Sequence, residues 1–88
     1  MQSIPKALGK AIRLRRKKKG LSQDALSGLA GIARTHLTMI ENGNIQPTLE
    51  TLWKIASALD TKPSKLFQLA EAELDRMELI PEYIKNGV

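Results

Sequence analysis

Eighty-eight residues with 42% apolar content allow one compact domain, and because Trp53, Phe67 and Tyr83 are the only aromatics its core must be aliphatic. The absence of cysteine and the single histidine, His36, exclude disulfides, thiolate nucleophiles, Cys- or His-rich metal sites and a histidine-paired hydrolase. The net charge of +5 conceals a gradient, with eight bases and no acid in residues 1–20, four of each in 21–70, and five acids against Arg76 and Lys85 in 71–88.

Five short helices are predicted and no strand, which makes the chain all-α. The first runs from about Pro5 to Lys18, with Leu8, Ile12 and the stem of Arg16 facing inward and Gly20 ending it. Ser22 caps the second, which reaches Ala30 with Ala25, Leu26, Leu29 and Ala30 inward and Asp24 complementing the dipole of its first turn. Gly31 supplies a tight left-handed turn. The third helix covers about Ala33–Asn42, with Leu37 and Ile40 inward and Gly43 as its stop. After the loop Asn44–Pro47, Thr48 caps a fourth helix, Leu49–Leu59, whose apolar face is Leu49, Leu52, Ile55, Ala56 and Leu59. Pro63 opens a fifth, with Leu66, Phe67 and Ala70 apolar. Beyond it, Ala70, Leu74 and Met77 keep a helical spacing, and Leu79–Ile80 adds apolar surface before Pro81. We therefore divide the chain into a domain over residues 1–70 and an acidic extension over 71–88, read either as a solvated tail or as a segment that pairs with a second chain or partner protein.

The basic end suits a polyanion, and nucleic acid or an anionic membrane surface are the two candidates from charge alone. No apolar run approaches the ~20 residues of a membrane span, and Met1–Gly20 lacks the apolar centre of a signal peptide, so a cytoplasmic protein with no membrane partner is expected. Acids are dispersed, with neither a glycine-rich phosphate loop nor a nucleophile–base pair. No catalytic residue, metal or cofactor is assigned, and the chain is read as not an enzyme.

The most informative segment is Leu21-Ser22-Gln23-Asp24-Ala25-Leu26 … Gly31-Ile32 … Leu37 … Ile40-Glu41-Asn42-Gly43, two short helices joined by a glycine-containing turn. With Leu37 and Ile40 inward, Arg34, Thr35, Thr38 and Met39 are left outward. These four can meet base edges if the third helix enters the major groove, which is wide enough for an α-helix.

In these motifs, together with Gly9, Ile12 and Arg16, Pro47-Thr48-Leu49-Glu50-Thr51-Leu52, Ile55-Ala56 and Leu66-Phe67, the chain resembles the Cro/CI-type (XRE) helix-turn-helix transcriptional regulators. The resemblance covers about Leu8–Phe67. It implies a five-helix, lambda-repressor-like DNA-binding domain with a C-terminal extension. It places Arg34, Thr35, Thr38 and Met39 as base readers, with Arg34 forking onto guanine. Met39 touches a thymine methyl or lies against the groove wall. Gln23, Asn42 and the Gly43 amide match phosphate-binding positions, and His36 is grouped with them rather than read as a titrating switch. Arg16 and Glu41 match a structural ion pair. On the residues alone, Gln23 also reads as a surface polar group, Asn42–Gly43 as a helix stop, and Arg34 as a phosphate contact. Ala33 departs from the family's Ser/Thr cap, Lys62 stands where a capping serine is common, and Leu14 and Arg15 exchange the usual apolar and polar positions.

The resemblance implies a sequence-specific regulator, a repressor, binding double-stranded DNA at an inverted repeat as a homodimer. An antitoxin whose segment 71–88 binds a toxin, a restriction–modification controller, and a protein-bridging cofactor are the alternatives.

Overall fold

A computed structural model of the chain describes residues 3–76. Among these the architecture is five helices and no strand, with α1 Ser3–Lys18, α2 Gln23–Ala30, α3 Arg34–Glu41, α4 Leu49–Ala58 and α5 Pro63–Arg76. Their order and nearly all their ends follow the expected punctuation. The Ser22 hydroxyl accepts from the Ala25 amide, and the Thr48 hydroxyl accepts from that of Thr51. Helix α1 begins two residues before Pro5, which the first turn tolerates because its amides have no intrahelical acceptor. Gly31 takes the left-handed conformation at φ 71°, and the Ile32 amide then donates back to the Ser27 carbonyl at 3.0 Å. That reversal is what lets α3 leave α2 within three residues.

The core is aliphatic, as composition requires. Ile12, Leu26, Leu37, Ile40, Ile55, Leu59 and Leu66 are fully buried, one or two from each helix. Helix α1 is the central strut, packed along α5 and against α3, while α2 packs on both α3 and α4. Gly9 permits the approach to α3. A Cβ there would lie 2.6 Å from the Glu41 carbonyl oxygen, so any side chain would drive the two helices apart.

Two residues expected on the inward faces are corrected by the structure, and a third apolar residue lies beside its stripe. Leu29 is 65% exposed and Leu49 is 68% exposed, and Phe67 is nearly half exposed. In α2 the buried stripe is Leu26–Ala30, one turn apart, with Leu29 on its outer flank. In α4 burial starts at Leu52, because Leu49 in the first turn overhangs the end of the core. In α5 the stripe is Leu66, Ala70 and Glu73, and Phe67 lies beside it.

The boundary placed at residue 70 falls inside α5, which runs on unbroken to Arg76. Glu73 sits at the next position of the buried stripe, with Lys10 Nζ at 3.4 Å and Arg76 Nη2 at 3.2 Å from its carboxylate. The expectations for Met77, Leu79–Ile80 and Pro81 lie outside the described residues.

Two alanine substitutions at helical glycines are expected to have opposite signs. Gly9→Ala should lower stability by about 1–3 kcal/mol, the range for overpacking a filled site. Gly28→Ala, where nothing lies within 4 Å of the added Cβ, should raise it by about 0.5–1 kcal/mol by favouring the helix. Urea denaturation midpoints of the two variants check both signs.

Candidate nucleic-acid interface

Four polar side chains from three helical regions meet behind α3. Arg16 in α1 holds Glu41, the last residue of α3, with both arms of its guanidinium: Nε to Oε2 at 2.7 Å and Nη2 to Oε1 at 2.9 Å. The pair is sealed from solvent, with the Glu41 side chain only 1% exposed. The remaining Arg16 nitrogen, Nη1, donates to the Leu21 carbonyl at 2.9 Å, which pins the segment leading into α2. These hydrogen bonds to Glu41 hold the Arg16 pKa above its ordinary value, with burial opposing and the charge of Glu41 adding to the effect.

Gln23 extends the network. Its amide Nε2 donates to Glu41 Oε1 at 3.0 Å, and its Oε1 lies 3.0 Å from the Thr38 hydroxyl. One amide thus bridges the first residue of α2 to the middle and the end of α3. Glu41 orients the nitrogen and Thr38 the oxygen, leaving the second N–H of Gln23 without a partner among the described residues.

The sequence-predicted site residues divide by their surroundings. Arg34 and Thr35 are exposed at the start of α3, and Met39 is exposed one turn later. Arg34 Nε stands 3.5 Å from Asp24 Oδ1, an ion pair whose partners are both more than half exposed. Such a pair contributes about 0–1 kcal/mol, so the guanidinium is readily surrendered to a better acceptor. Thr38 is half-buried, and its hydroxyl lies equally close to Gln23 and to the Arg34 carbonyl. It therefore braces α3 against α2, a role that sequence reasoning missed. No local pattern could have shown it, because the partners are fifteen residues apart. His36 is half-buried on the same helix. Ala33 caps α3 with no side-chain hydrogen bond, as its methyl dictates.

Gly43 differs from the expectation. Its amide, predicted to receive a phosphate, donates to the Ile40 carbonyl at 3.0 Å, and the Asn44 amide is likewise taken by Met39. The turn consumes its own donors because Gly43 at φ 77° folds the chain back against α1. A Cβ at Gly43 would lie 2.6 Å from Lys6 Cγ. What this end of α3 presents is the exposed Asn42 side chain, beside a groove that Lys6, Lys10, Arg13 and Lys17 line along one edge of α1. Asn42 and the α1 lysines are thus one cationic surface, which the sequence held in separate motifs. Leu14, exposed, lies in the same groove. Among the described residues no group of His, Asp and Glu could hold a metal ion, and no helix is long and apolar enough to cross a membrane.

A family model described as Helix-turn-helix, HTH_3, matches residues 12–66, from the middle of α1 into α5. The chain belongs to the HTH_3 helix-turn-helix family. Within that family it is 34% identical over 61 residues to the HTH-type transcriptional regulator SlrR of Bacillus subtilis, a match covering 68% of this chain and 40% of SlrR. It is 43% identical over 51 residues to the ImmF control region 10 kDa protein of Bacillus phage phi105, covering 58% of this chain and 57% of that protein. The chain thus spans about half the length of the curated relatives it matches. Among solved structures, the restriction-modification controller protein C.AhdI from Aeromonas hydrophila shares the HTH_3 fold with a TM-score of 0.69 at 35% identity, covering 70% of this chain and 94% of the controller.

The network behind α3 predicts how the HTH_3 domain fails. Arg16→Ala leaves Glu41 charged in a dry site and should cost about 3–5 kcal/mol, most of the stability of a domain this small. Gln23→Ala removes a half-buried amide and should cost about 1 kcal/mol. Thermal melts followed by circular dichroism should show the first variant largely unfolded and the second folded.

Proposed function

We propose that this chain is a sequence-specific DNA-binding transcriptional regulator, acting as a repressor that engages an inverted repeat as a homodimer. One observation carries the reading: the exposed Arg34, Thr35 and Met39 stand on a helix fixed from behind by the Arg16–Glu41–Gln23–Thr38 network. Helix α3 has eight residues and is therefore about 12 Å long, a length and width that the major groove admits. Arg34 reads guanine with its fork. Thr35 and Met39 offer a hydroxyl and an apolar tip to neighbouring bases, and Thr38 contributes what its bond to Gln23 leaves free.

Phosphate contacts surround this helix. Gln23 donates its second N–H on one side, and Asn42 with the Lys6–Arg13–Lys17 edge of α1 serves the other. His36 borders the same face, while Gly43 acts by shaping the turn. Two copies place their third helices in successive major grooves, about 34 Å apart. Likeness to the regulators SlrR and C.AhdI supports a role in transcription. Contact with a second copy or another protein falls, in this reading, to residues after Arg76, because α5 holds Glu73 in the core.

A second reading, control of a restriction–modification system, is favoured by the match to C.AhdI over 94% of that protein. Sequencing genomic fragments retained by the purified chain at about 150 mM salt separates the two. One enriched inverted repeat is the expected result. Its position before an endonuclease gene selects the controller, and unselective retention or none overturns both.

Two binding measurements follow. Arg34→Ala should lose about 1–3 kcal/mol on the preferred site and far less on sites changed at one base pair, whereas equal loss everywhere would reduce Arg34 to a phosphate contact. With about six phosphates neutralised, log K should fall against log salt with a slope near −5, read by anisotropy titrations at several salt concentrations.

A further inference from the structure

Arg34 opens α3 with a carboxylate beside it, Asp24 in the first turn of α2. The backbone is held on both sides of this pair. The Ser22 hydroxyl caps the turn that carries Asp24, and the buried Ser27 donates to the Asp24 carbonyl at 3.1 Å. Opposite, the Thr38 hydroxyl lies 3.0 Å from the Arg34 carbonyl and 3.0 Å from Oε1 of Gln23, the neighbour of Asp24. Asp24 and Arg34 therefore meet from fixed positions, and only their side chains are left to move.

A carboxylate here works against a surface that takes up a polyanion, because it repels phosphates. The atom it engages explains its presence. Asp24 Oδ1 approaches Arg34 at Nε, 3.5 Å away, so the terminal nitrogens Nη1 and Nη2 are left to form a fork. DNA offers such a fork two kinds of acceptor. Guanine O6 and N7 are neutral, whereas phosphate oxygens are anionic. Guanine can take the terminal nitrogens while Asp24 keeps Nε. A phosphate brought to the same guanidinium meets the Asp24 charge.

We propose that Asp24 is a positioning residue that determines specificity: it holds Arg34 by Nε, presents the terminal nitrogens to guanine and turns the side chain away from phosphate. That role depends on the proposed reading of DNA by α3, and it names a base as the partner of Arg34. The pair is weak on the free surface and strengthens as water leaves the closing groove. Asp24 thus lowers affinity for DNA at large and widens the difference between sequences, which is what specificity is. Its charge also complements the dipole of α2, an effect that would alter binding to all sequences alike.

The test enriches duplexes with a randomised core on the full wild-type chain, Asp24→Asn, Arg34→Ala and the double variant, all confirmed as folded by circular dichroism. The wild type is expected to show a guanine preference that Arg34→Ala loses. Asp24→Asn should weaken that preference about three- to fivefold, the effect of one exposed ion pair, and leave the other positions unchanged. On an unrelated duplex, Asp24→Asn should bind more tightly, with a plot of log K against log salt steeper by about one, as Arg34 takes up a phosphate. In the Arg34→Ala background the Asp24 substitution should change neither the base preferences nor the salt slope. An undiminished guanine preference in Asp24→Asn, a loss spread evenly over all positions, a guanine preference that survives Arg34→Ala, or the same steepening without Arg34 overturns the inference alone. A wild-type chain that enriches no sequence overturns the proposed function and the inference together.

Discussion

A carboxylate excluded from water needs its charge answered nearby, and the domain is arranged around meeting that demand at Glu41. Arg16 supplies two donors to it and Gln23 a third, drawing α1, the start of α2 and the end of α3 to one point. An apolar trio of similar volume could hold the three helices as firmly, since buried ion pairs often contribute little net stability against hydrophobic replacements. What such a trio could not do is orient an amide. The ion pair is explained by geometry: it turns Gln23 so that nitrogen faces Glu41, oxygen faces Thr38, and one N–H is left for an external acceptor. Because the network also holds the fold together, lost DNA binding in a variant of Arg16 or Glu41 would not identify a contact.

The second buried carboxylate shows the contrast. Glu73 has Lys10 and Arg76 at ion-pair distance, yet neither of its oxygens accepts a hydrogen bond among the described residues. Charge is balanced there without directional bonds, so Glu73 ties α5 to α1 loosely where Glu41 ties α3 to α1 rigidly. The gradient of charge along the sequence takes on a structural meaning. Of the eight bases in residues 1–20, Arg16, Lys10 and Lys19 pair with Glu41, Glu73 and Asp60 on other parts of the fold. Lys6, Arg13 and Lys17 remain along the edge of α1 next to Asn42, where their field is concentrated beside the end of α3.

Most of the fold was legible because its signals are local. Ser22, Gly31, Thr48 and Pro63 punctuate the helices through chemistry that acts within four residues. Periodicity identified the buried members of each stripe but misassigned Leu29 and Leu49, since apolar character does not say on which edge of a stripe a residue falls. The continuation of α5 was obscured by its acids, although Glu73 keeps the spacing set by Leu66 and Ala70. The site was legible only in part. Arg16, Gln23 and Glu41 came from family resemblance, whereas the Thr38–Gln23 bond and the meeting of Lys6 with Gly43 are tertiary. The latter exists because Gly9 lets α1 lie close to the end of α3, a consequence no single motif records.

Helix α2 makes the separate parts one device. It is eight residues long, about 12 Å, with Gln23 at its first position beside α3 and the exposed Leu29 near its last. Ser22 caps one end and the Gly31 turn closes the other, while Leu26 and Ala30 anchor it in the core. A helix held at four such points has little freedom to bend. The position of α3 on the molecule is thus set by packing and does not depend on a linker.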